Sequence, residues 1–336
     1  MKDRLRNGIG AAIVFSATAL GSGCAAPSEV RPSTDQTQLP TPGQEQIRLT
    51  WQSLPAKQRI QRLETHQYPQ LGEFDARQEL VQASAAFFVA ETHVAMKPEE
   101  LSSKVHVINR DDFSKKLQEQ ANGALSPQDL SQKLIDTPEI VMQDKQVYMN
   151  EDLLQSLFTQ MRTTYPKLVE RLGNNDLDVV ITKNILFHAF SHVTETQQQV
   201  MFPAFSLHIP GVSGPINVDH VNGFRPIGTG QNGEPYYFNG SNEAATEFSA
   251  RIIGTRSGLY LPFPSSYQTG VEQMQPQLAY AGISEDQYLA YYTGQQQLET
   301  LYDQWGASLK SPVQPTKKAA VLRLTEIGLK VSGFIK

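Results

Sequence analysis

The sequence has fewer positively charged than negatively charged residues. Its 29 lysines and arginines are outnumbered by 34 aspartates and glutamates, so the formal net charge is -5 at pH 7. A chain of this kind has no broad basic surface for the phosphates of a nucleic acid or for anionic lipid headgroups. We therefore expect no nucleic acid among its partners.

A hydrophobic run long enough to cross a bilayer is missing from the N-terminal region. Lys2, Arg4 and Arg6 precede an apolar run from Ile9 to Leu20. This run is too short to span a membrane, which takes about 20 apolar residues. A basic start, a short apolar run and small residues after it are typical of a signal peptide. We predict a signal peptide over residues 1–23 and export of the remainder.

Cysteine is nearly absent, since Cys24 is the only one in the chain. An unpaired thiol would be a liability in the oxidising compartment to which a signal peptide leads. Gly21, Ser22 and Gly23 before Cys24 resemble the lipobox of bacterial lipoproteins, in which the peptide is cleaved before the cysteine and the thiol is lipidated. Leu20 lies one position further from the cysteine than the usual leucine of that motif. The resemblance implies a protein of the cell envelope, anchored to a bacterial membrane on its periplasmic side; the alternative is an ordinary signal peptide with an incidental cysteine.

The rest of the chain divides by composition into a tether and folded parts. Residues 24–46 are rich in proline, serine, threonine and glutamine and hold few large apolar side chains, so we predict a disordered tether. In the whole chain 39% of residues are hydrophobic and 19% are charged, which favours a globular protein. We predict a folded domain over residues 47–254 and a C-terminal helical subdomain over residues 255–336.

Apolar spacing predicts a mainly helical α+β fold with a small β-sheet or hairpins. The wide apolar face of residues 174–200 predicts a central, mostly buried helix. Residues 201–239 alternate in polarity and predict a β-excursion, and a helix follows from Ser241 or Asn242 to Gly254. Gly228 to Gly233 matches a dinucleotide-binding pattern by letters, but a strand signal follows where that pattern needs a helix, so we predict a turn. Further predicted elements are helices near 47–66, 77–94, 150–173 and 317–331, a helix capped by Ser284, and strands at 105–108 and 139–149.

Two pairs of residues with helical spacing carry the candidate chemistry. His188 and His192 are four residues apart, so both imidazoles leave one face of the central helix, as two ligands of one zinc ion require. Glu243 and Glu247 have the same spacing on a later helix. Two such carboxylates repel each other by roughly a few tenths of a kcal/mol unless positive charge lies beside them. A metal ion with its histidine ligands would supply that charge.

The gluzincins, the thermolysin-like zinc peptidases, pair H-E-x-x-H on one helix with N-E-x-x-x-D/E on the next. This chain resembles them over about residues 150–254, through His188-Ala189-Phe190-Ser191-His192 and Asn242-Glu243-Ala244-Ala245-Thr246-Glu247. The resemblance implies a zincin-like core and a zinc ion held by His188, His192 and Glu243. It also implies that Glu247 orients a ligand histidine and that water takes the fourth coordination position.

The chain departs from the family pattern at one decisive position. Ala189 stands where the family has the glutamate that takes a proton from water and delivers it to the leaving amine. General acid-base catalysis of this kind is worth roughly 10²- to 10⁴-fold in rate, whereas a metal can activate water without it. Glu195, one turn beyond His192 on the same face, and His220 are candidates for a substitute base, although no motif places either. A longer connection than in thermolysin-like enzymes also separates the two helices, which the predicted β-excursion explains.

Three functions stay open from the sequence. The leading hypothesis is an envelope lipoprotein that keeps the zinc site, is inactive or weak as a peptidase, and acts by binding a peptide or another envelope protein. The second is a zinc-dependent hydrolase with a non-standard base. The third is a metal-free helical scaffold, because histidines four apart also occur as ordinary residues of amphipathic helices. His220, Tyr236, Tyr237, Arg256 and Tyr267 are candidate substrate contacts by analogy, but an ordinary structural role is the better interpretation for each.

Overall fold

The fold is described from a computed structural model of the chain. The structure describes residues 42–70, 74–173, 175–261, 266–309 and 316–335. The predicted signal peptide, Cys24 and most of the predicted tether lie outside the described residues. Helix α1 begins at Pro42, so the last residues assigned to the tether are helical.

The described residues form many helices and two small sheets, which confirms the predicted mainly helical α+β fold. The helices are α1 (Pro42–Gln52), α2 (Ala56–Glu64), α3 (Ala76–Thr92), α4 (Pro98–Ser103), α5 (Arg110–Gln120), α6 (Pro127–Asp136), α7 (Glu151–Thr164), α8 (Pro166–Leu172), α9 (Leu177–Thr194), α10 (Asn239–Ser257), α11 (Ser266–Tyr280), α12 (Glu285–Tyr292), α13 (Leu298–Ser308) and α14 (Thr316–Val331). The strands are β1 (Val105–Ile108), β2 (Glu139–Val141), β3 (Val147–Asn150), β4 (Gln199–Leu207), β5 (Ile216–Asn222), β6 (Arg225–Thr229) and β7 (Pro235–Tyr237).

The first sheet has three strands in the order β1, β3, β2. β1 runs parallel to β3 and β2 runs antiparallel to it. The central residue of β2, Ile140, packs into a small apolar cluster with Phe113 and Leu117 of α5. Because side chains alternate along a strand, Glu139 and Val141 face the other way. In the strand order β1, β3, β2 this strand lies at an edge of the sheet, and it packs against α9.

The central helix α9 is buried on nearly every side. Its first turn is capped by Asp176, whose side chain accepts a hydrogen bond from the Asp178 backbone N–H at 2.8 Å. Almost all of its residues are buried, as its wide apolar face predicts. The prediction that this helix continues to about Val200 is wrong. It ends at Thr194, because the chain from Gln199 pairs with β5 in the second sheet.

A buried ion pair joins α9 to α2. Lys183, in the middle of α9, is 0% exposed. Its Nζ donates to Oε1 of Glu64 at 2.5 Å and to the carbonyl oxygen of Leu259 at 2.6 Å. A buried ammonium group is tolerated only when such partners compensate for the water it has lost. These bonds position α9 relative to the helices around it.

The second sheet is an antiparallel meander in the order β4, β5, β6, β7. It confirms the predicted β-excursion, and it lies between α9 and α10 in the chain. The glycine-rich segment ends β6 and forms the turn to β7, where the N–H of Gly233 donates to the carbonyl oxygen of Gly230 at 3.1 Å. Gly233 has a φ of 81°, a conformation that favours glycine. The predicted turn is confirmed.

The C-terminal helices complete a core shared with the preceding elements. α10 packs against α9, α11 and α14. A Cβ added at Gly328 of α14 would lie 2.2 Å from Oγ of Ser241, so this glycine permits close approach of α14 to α10. One hydrophobic cluster includes residues from Trp51 to Phe334. The predicted division at residue 254 lies within α10. None of the described helices is long and apolar enough to cross a membrane.

Candidate metal centre

The helix pair α9 and α10 brings two imidazoles and a carboxylate together. His188 and His192 lie one turn apart on α9, and Glu243 lies in the first half of α10. Nε2 of His188 is 3.5 Å and Nε2 of His192 is 3.2 Å from the same oxygen, Oε2 of Glu243. One donor atom from each residue lies within 4.8 Å of the other two. The three side chains that the sequence singled out therefore converge.

The donor atoms fit a zinc ion in both chemistry and spacing. Zinc binds imidazole nitrogen and carboxylate oxygen at about 2.0 to 2.1 Å in a tetrahedral arrangement, so two of its ligands lie about 3.3 to 3.4 Å apart. The measured separations of 3.5 and 3.2 Å from Glu243 Oε2 are close to this value. Two histidines and a glutamate are also a ligand set of catalytic zinc sites. The triad could therefore hold a metal ion such as zinc.

Comparison with protein-family models, with curated proteins and with solved structures finds no match to this chain. The buried triad is consistent with the zincin-like arrangement of two histidines four residues apart and a glutamate on the next helix. The assignment of the triad as a candidate metal site therefore rests on the distances between its donor atoms.

Glu247 lies behind His188, on the side away from the centre. Its Oε2 is 3.1 Å from Nδ1 of His188. Its Oε1 accepts hydrogen bonds from the Tyr260 hydroxyl at 2.8 Å and from Nε of Arg251 at 3.3 Å. A carboxylate in this position holds the proton on Nδ1 and leaves Nε2 free for a metal.

His192 has a different partner behind it. Its Nδ1 lies 3.3 Å from the hydroxyl oxygen of Thr246, which lies 2.9 Å from the hydroxyl oxygen of Tyr292. The sequence predicted neither partner. Thr246 follows Glu243 within the motif, but nothing local shows that the Tyr292 hydroxyl reaches it from α12.

The pKa values of His188, Glu243 and Glu247 are set by their mutual hydrogen bonds and charges, which together outweigh burial. Burial lowers the pKa of His188, but hydrogen bonds with Glu243 and Glu247 raise it to about 10. Burial raises the pKa of Glu243, but the charge of His192 and the hydrogen bonds of both histidines hold it well below its usual range. Burial raises the pKa of Glu247, but the hydrogen bonds and charges of His188, Arg251 and Tyr260 together lower it below its usual value. In the metal-free protein His188 is therefore protonated at neutral pH and both carboxylates are ionised.

Ala189, at the position of the family's glutamate, and Glu195, the candidate substitute base, lie in different surroundings. Ala189 is 0% exposed and belongs to the hydrophobic core. Glu195 directly follows the last residue of α9, with a helical φ of -55° and a non-helical ψ of 134°. Its Oε1 accepts a hydrogen bond from the Phe224 backbone N–H at 3.4 Å. Glu195 thus bonds to the turn between β5 and β6, and it lines the same cleft as the triad.

The triad opens into a cleft of about 910 Å³. Of the candidate substrate contacts, Tyr237 and Tyr267 line this cleft, and the Tyr267 ring stacks on His188 with centroids 6.0 Å apart. His220 lies beside an acidic neighbour on β5, and Arg256 forms ion pairs elsewhere with Glu91, Glu285 and Asp286. The hydroxyl of Tyr236 donates to Glu234 at 3.2 Å, next to the turn.

The cleft also contains charged residues that sequence reasoning missed. Lys145 and Arg225 line it, and Nζ of Lys145 donates to the carbonyl oxygen of His192 at 2.9 Å. Glu139 lies on β2, which forms part of the wall. No local pattern marks these three residues, because strands distant in sequence bring them to the triad.

Proposed function

We propose that this chain is a zinc-binding protein with a metallopeptidase-type site. The observation that carries the proposal is the placement of both histidine Nε2 atoms at 3.5 and 3.2 Å from one oxygen of Glu243. These are the separations expected for ligands of a single tetrahedral zinc ion. The bond between Glu247 and Nδ1 of His188 supports it, because such a bond is typical of a metal-binding histidine.

Each residue of the centre then has a defined task. His188 and His192 would hold the metal through Nε2 and Glu243 through Oε2, while Glu247 and Thr246 orient the two rings. A zinc ion in such a site polarises a carbonyl group and lowers the pKa of water. The cleft beside the triad admits an extended substrate, and its size of about 910 Å³ suits a peptide.

Two uses of the site are candidates. Ala189 favours binding without efficient turnover, with a peptide or a segment of another envelope protein in the cleft. Zinc-dependent hydrolysis of a peptide is the second candidate. One observation favours it, namely the further carboxylate of Glu139 in the same cleft.

We also propose that the protein works outside the cytoplasm. The basic start, the short apolar run and the small residues before Cys24 support export and a lipid anchor on that cysteine. An anchor of this kind would hold the cleft near the membrane surface in the cell envelope.

Metal analysis of the purified full-length chain tests the zinc site. We expect about one zinc ion per chain, as for a three-residue site of this class, and loss of that zinc in His192→Ala. The matched control is His220→Ala, which removes a histidine outside the triad and should keep the metal. A chain that binds no stoichiometric zinc, or whose zinc content is the same in His192→Ala, would leave the metal-free scaffold as the better description.

A further inference from the structure

Glu139 is placed by the fold beside the triad. It is the first residue of β2, the edge strand of the three-stranded sheet, and it pairs with Met149 of β3. Its neighbour Ile140 faces the apolar cluster, so the alternation of the strand directs Glu139 to the opposite side. That side is the cleft that His188 also lines, where β2 packs against α9.

The carboxylate of Glu139 is enclosed but incompletely bonded. Its Oε2 is buried, and no hydrogen-bond partner for this atom lies among the described residues. Glu139 also forms no ion pair with any of the three donor residues in the part of the chain that the structure describes. A buried oxygen without a partner costs free energy, and such atoms are expected where a protein handles a substrate.

The other carboxylates of the site are already engaged. Glu243 faces both histidines, and Glu247 is bonded to His188, Tyr260 and Arg251. Glu195 accepts a bond from the turn between β5 and β6. Among the carboxylates of the described residues that line the cleft, Glu139 is the one with a free, enclosed oxygen.

In the metal-free protein the surroundings of Glu139 favour proton binding near neutral pH. Burial raises its pKa, and the negative charges of Glu243 and Glu247 raise it further against the opposing charge of His188, to about 7. A general acid-base group works best when its pKa lies near the working pH. An exposed glutamate, with a pKa near 4.3, would hold a transferred proton too weakly.

We infer that Glu139 supplies, from the edge strand, the proton transfer that Ala189 cannot provide from the helix. This inference rests on the proposed zinc site and assigns it to hydrolysis of peptide bonds. The carboxylate of Glu139 takes one proton from a water molecule in the cleft as the water oxygen bonds to the carbonyl carbon of the substrate. The C–N bond then breaks, and Glu139 gives that proton to the leaving nitrogen, which departs as an amine. The acyl part leaves as a carboxylic acid, and Glu139 returns to its ionised form.

The test compares Glu139→Gln with the unchanged full-length chain. The probe is fluorescently labelled casein, and zinc content is measured on the same samples. We expect zinc-dependent cleavage by the unchanged chain and a fall of about 10²- to 10⁴-fold in kcat for Glu139→Gln, with zinc still bound. Glu139→Asp should recover part of the rate. Glu119→Gln, an exposed carboxylate on α5 paired with Lys116, is the matched control and should keep it.

A second readout does not depend on turnover. With Co²⁺ bound in place of zinc, the visible spectrum should change with pH, and Glu139→Gln should shift the midpoint of that change by about one pH unit or more. A residue that only supports the strand would leave the midpoint in place.

The outcomes separate the two proposals. If the unchanged chain binds no zinc, the proposed function fails and this inference with it. If zinc is bound but casein is not cleaved, or Glu139→Gln cleaves as fast as the unchanged chain, the inference is overturned and the zinc site stands. An unshifted cobalt midpoint would also overturn it.

Discussion

Ala189 is the residue at which this centre departs from the motif that it resembles. It is fully buried, and its methyl group can neither accept nor donate a proton. The two histidines and Glu243 nevertheless converge. Chemistry at this centre therefore depends on whether another residue takes over the proton, and Glu139 is the residue that we propose.

The carboxylates around His188 strongly shift its pKa. Its raised pKa of about 10 means that the metal-free protein binds a proton there more tightly than an unfolded chain does. Zinc requires a neutral imidazole and must displace this proton. Zinc binding should therefore release protons even above neutral pH, and its apparent affinity should fall as the pH is lowered.

Glu247→Gln tests this coupling. Removing the negative charge beside Nδ1 lowers the pKa of His188, so fewer histidines are protonated in the metal-free variant. At pH 8.5 we expect the variant to release fewer protons on zinc binding, by up to about one per site. Calorimetric titration in buffers of different ionisation enthalpy measures the number. Equal release by the two proteins would contradict the inference that the charge of Glu247 raises the pKa of His188.

Partners on both α9 and α10 offset the repulsion between the two carboxylates of α10. Glu243 and Glu247 lie one turn apart on α10, where two carboxylates repel each other. The histidines of α9 lie against both, and Arg251, one turn further along α10, bonds to Glu247 at 3.3 Å. The repulsion is thus offset by partners on both elements. The pairing of these helices is a condition for the site.

Lys183 should be important for the stability of this arrangement. Lys183→Met leaves Glu64 buried without its partner, which we expect to lower the free energy of unfolding by roughly 3–5 kcal/mol. The double variant Lys183→Met with Glu64→Leu should lose much less, because no buried charge is left unpaired. Urea unfolding followed by circular dichroism measures both.

The matched control for this experiment is another ion pair on α9. Arg162 and Asp178 are 2.6 Å apart, but their side chains are 50% and 31% exposed. Arg162→Ala should cost only about 0–1 kcal/mol. If Lys183→Met is no more costly than this control, the buried pair does not stabilise α9 as we propose.

For the molecule as a whole, the centre lies where several elements meet. α9 and α10 supply the donor atoms, β2 and the loop after it form a wall of the cleft, and Tyr267 from α11 stacks on His188. The hydrophobic core includes residues from both sides of residue 254. The site is therefore a product of the whole described fold.

The proposed location of the protein has its own test at this scale. If Cys24 carries the lipid, the chain expressed in a bacterium should be found in the membrane fraction and should incorporate labelled palmitate. Cys24→Ala should lose the label and appear in the soluble part of the envelope. A label that persists in Cys24→Ala, or its absence from the unchanged chain, would leave an ordinary signal peptide with an incidental cysteine.

Short-range patterns made much of the helical structure predictable. Asn150 caps α7 by accepting the Leu153 backbone N–H at 3.2 Å, and the capping box of Ser284 and Gln287 opens α12. Caps and turns act within a few residues, so the local sequence suffices to predict them. The end of α9 was missed because a strand pairing between distant residues stops the helix.

Helix geometry alone predicts which side chains share a face, because the α-helix places every fourth residue on one side. His188 therefore lies with His192, and Glu243 with Glu247. Only the packing of distant segments makes these two faces meet, bonds Glu195 to the turn between β5 and β6, and places Glu139 in the cleft from an edge strand. Those placements depend on burial of apolar surface between segments far apart in the chain, a driving force without direction that no short motif records.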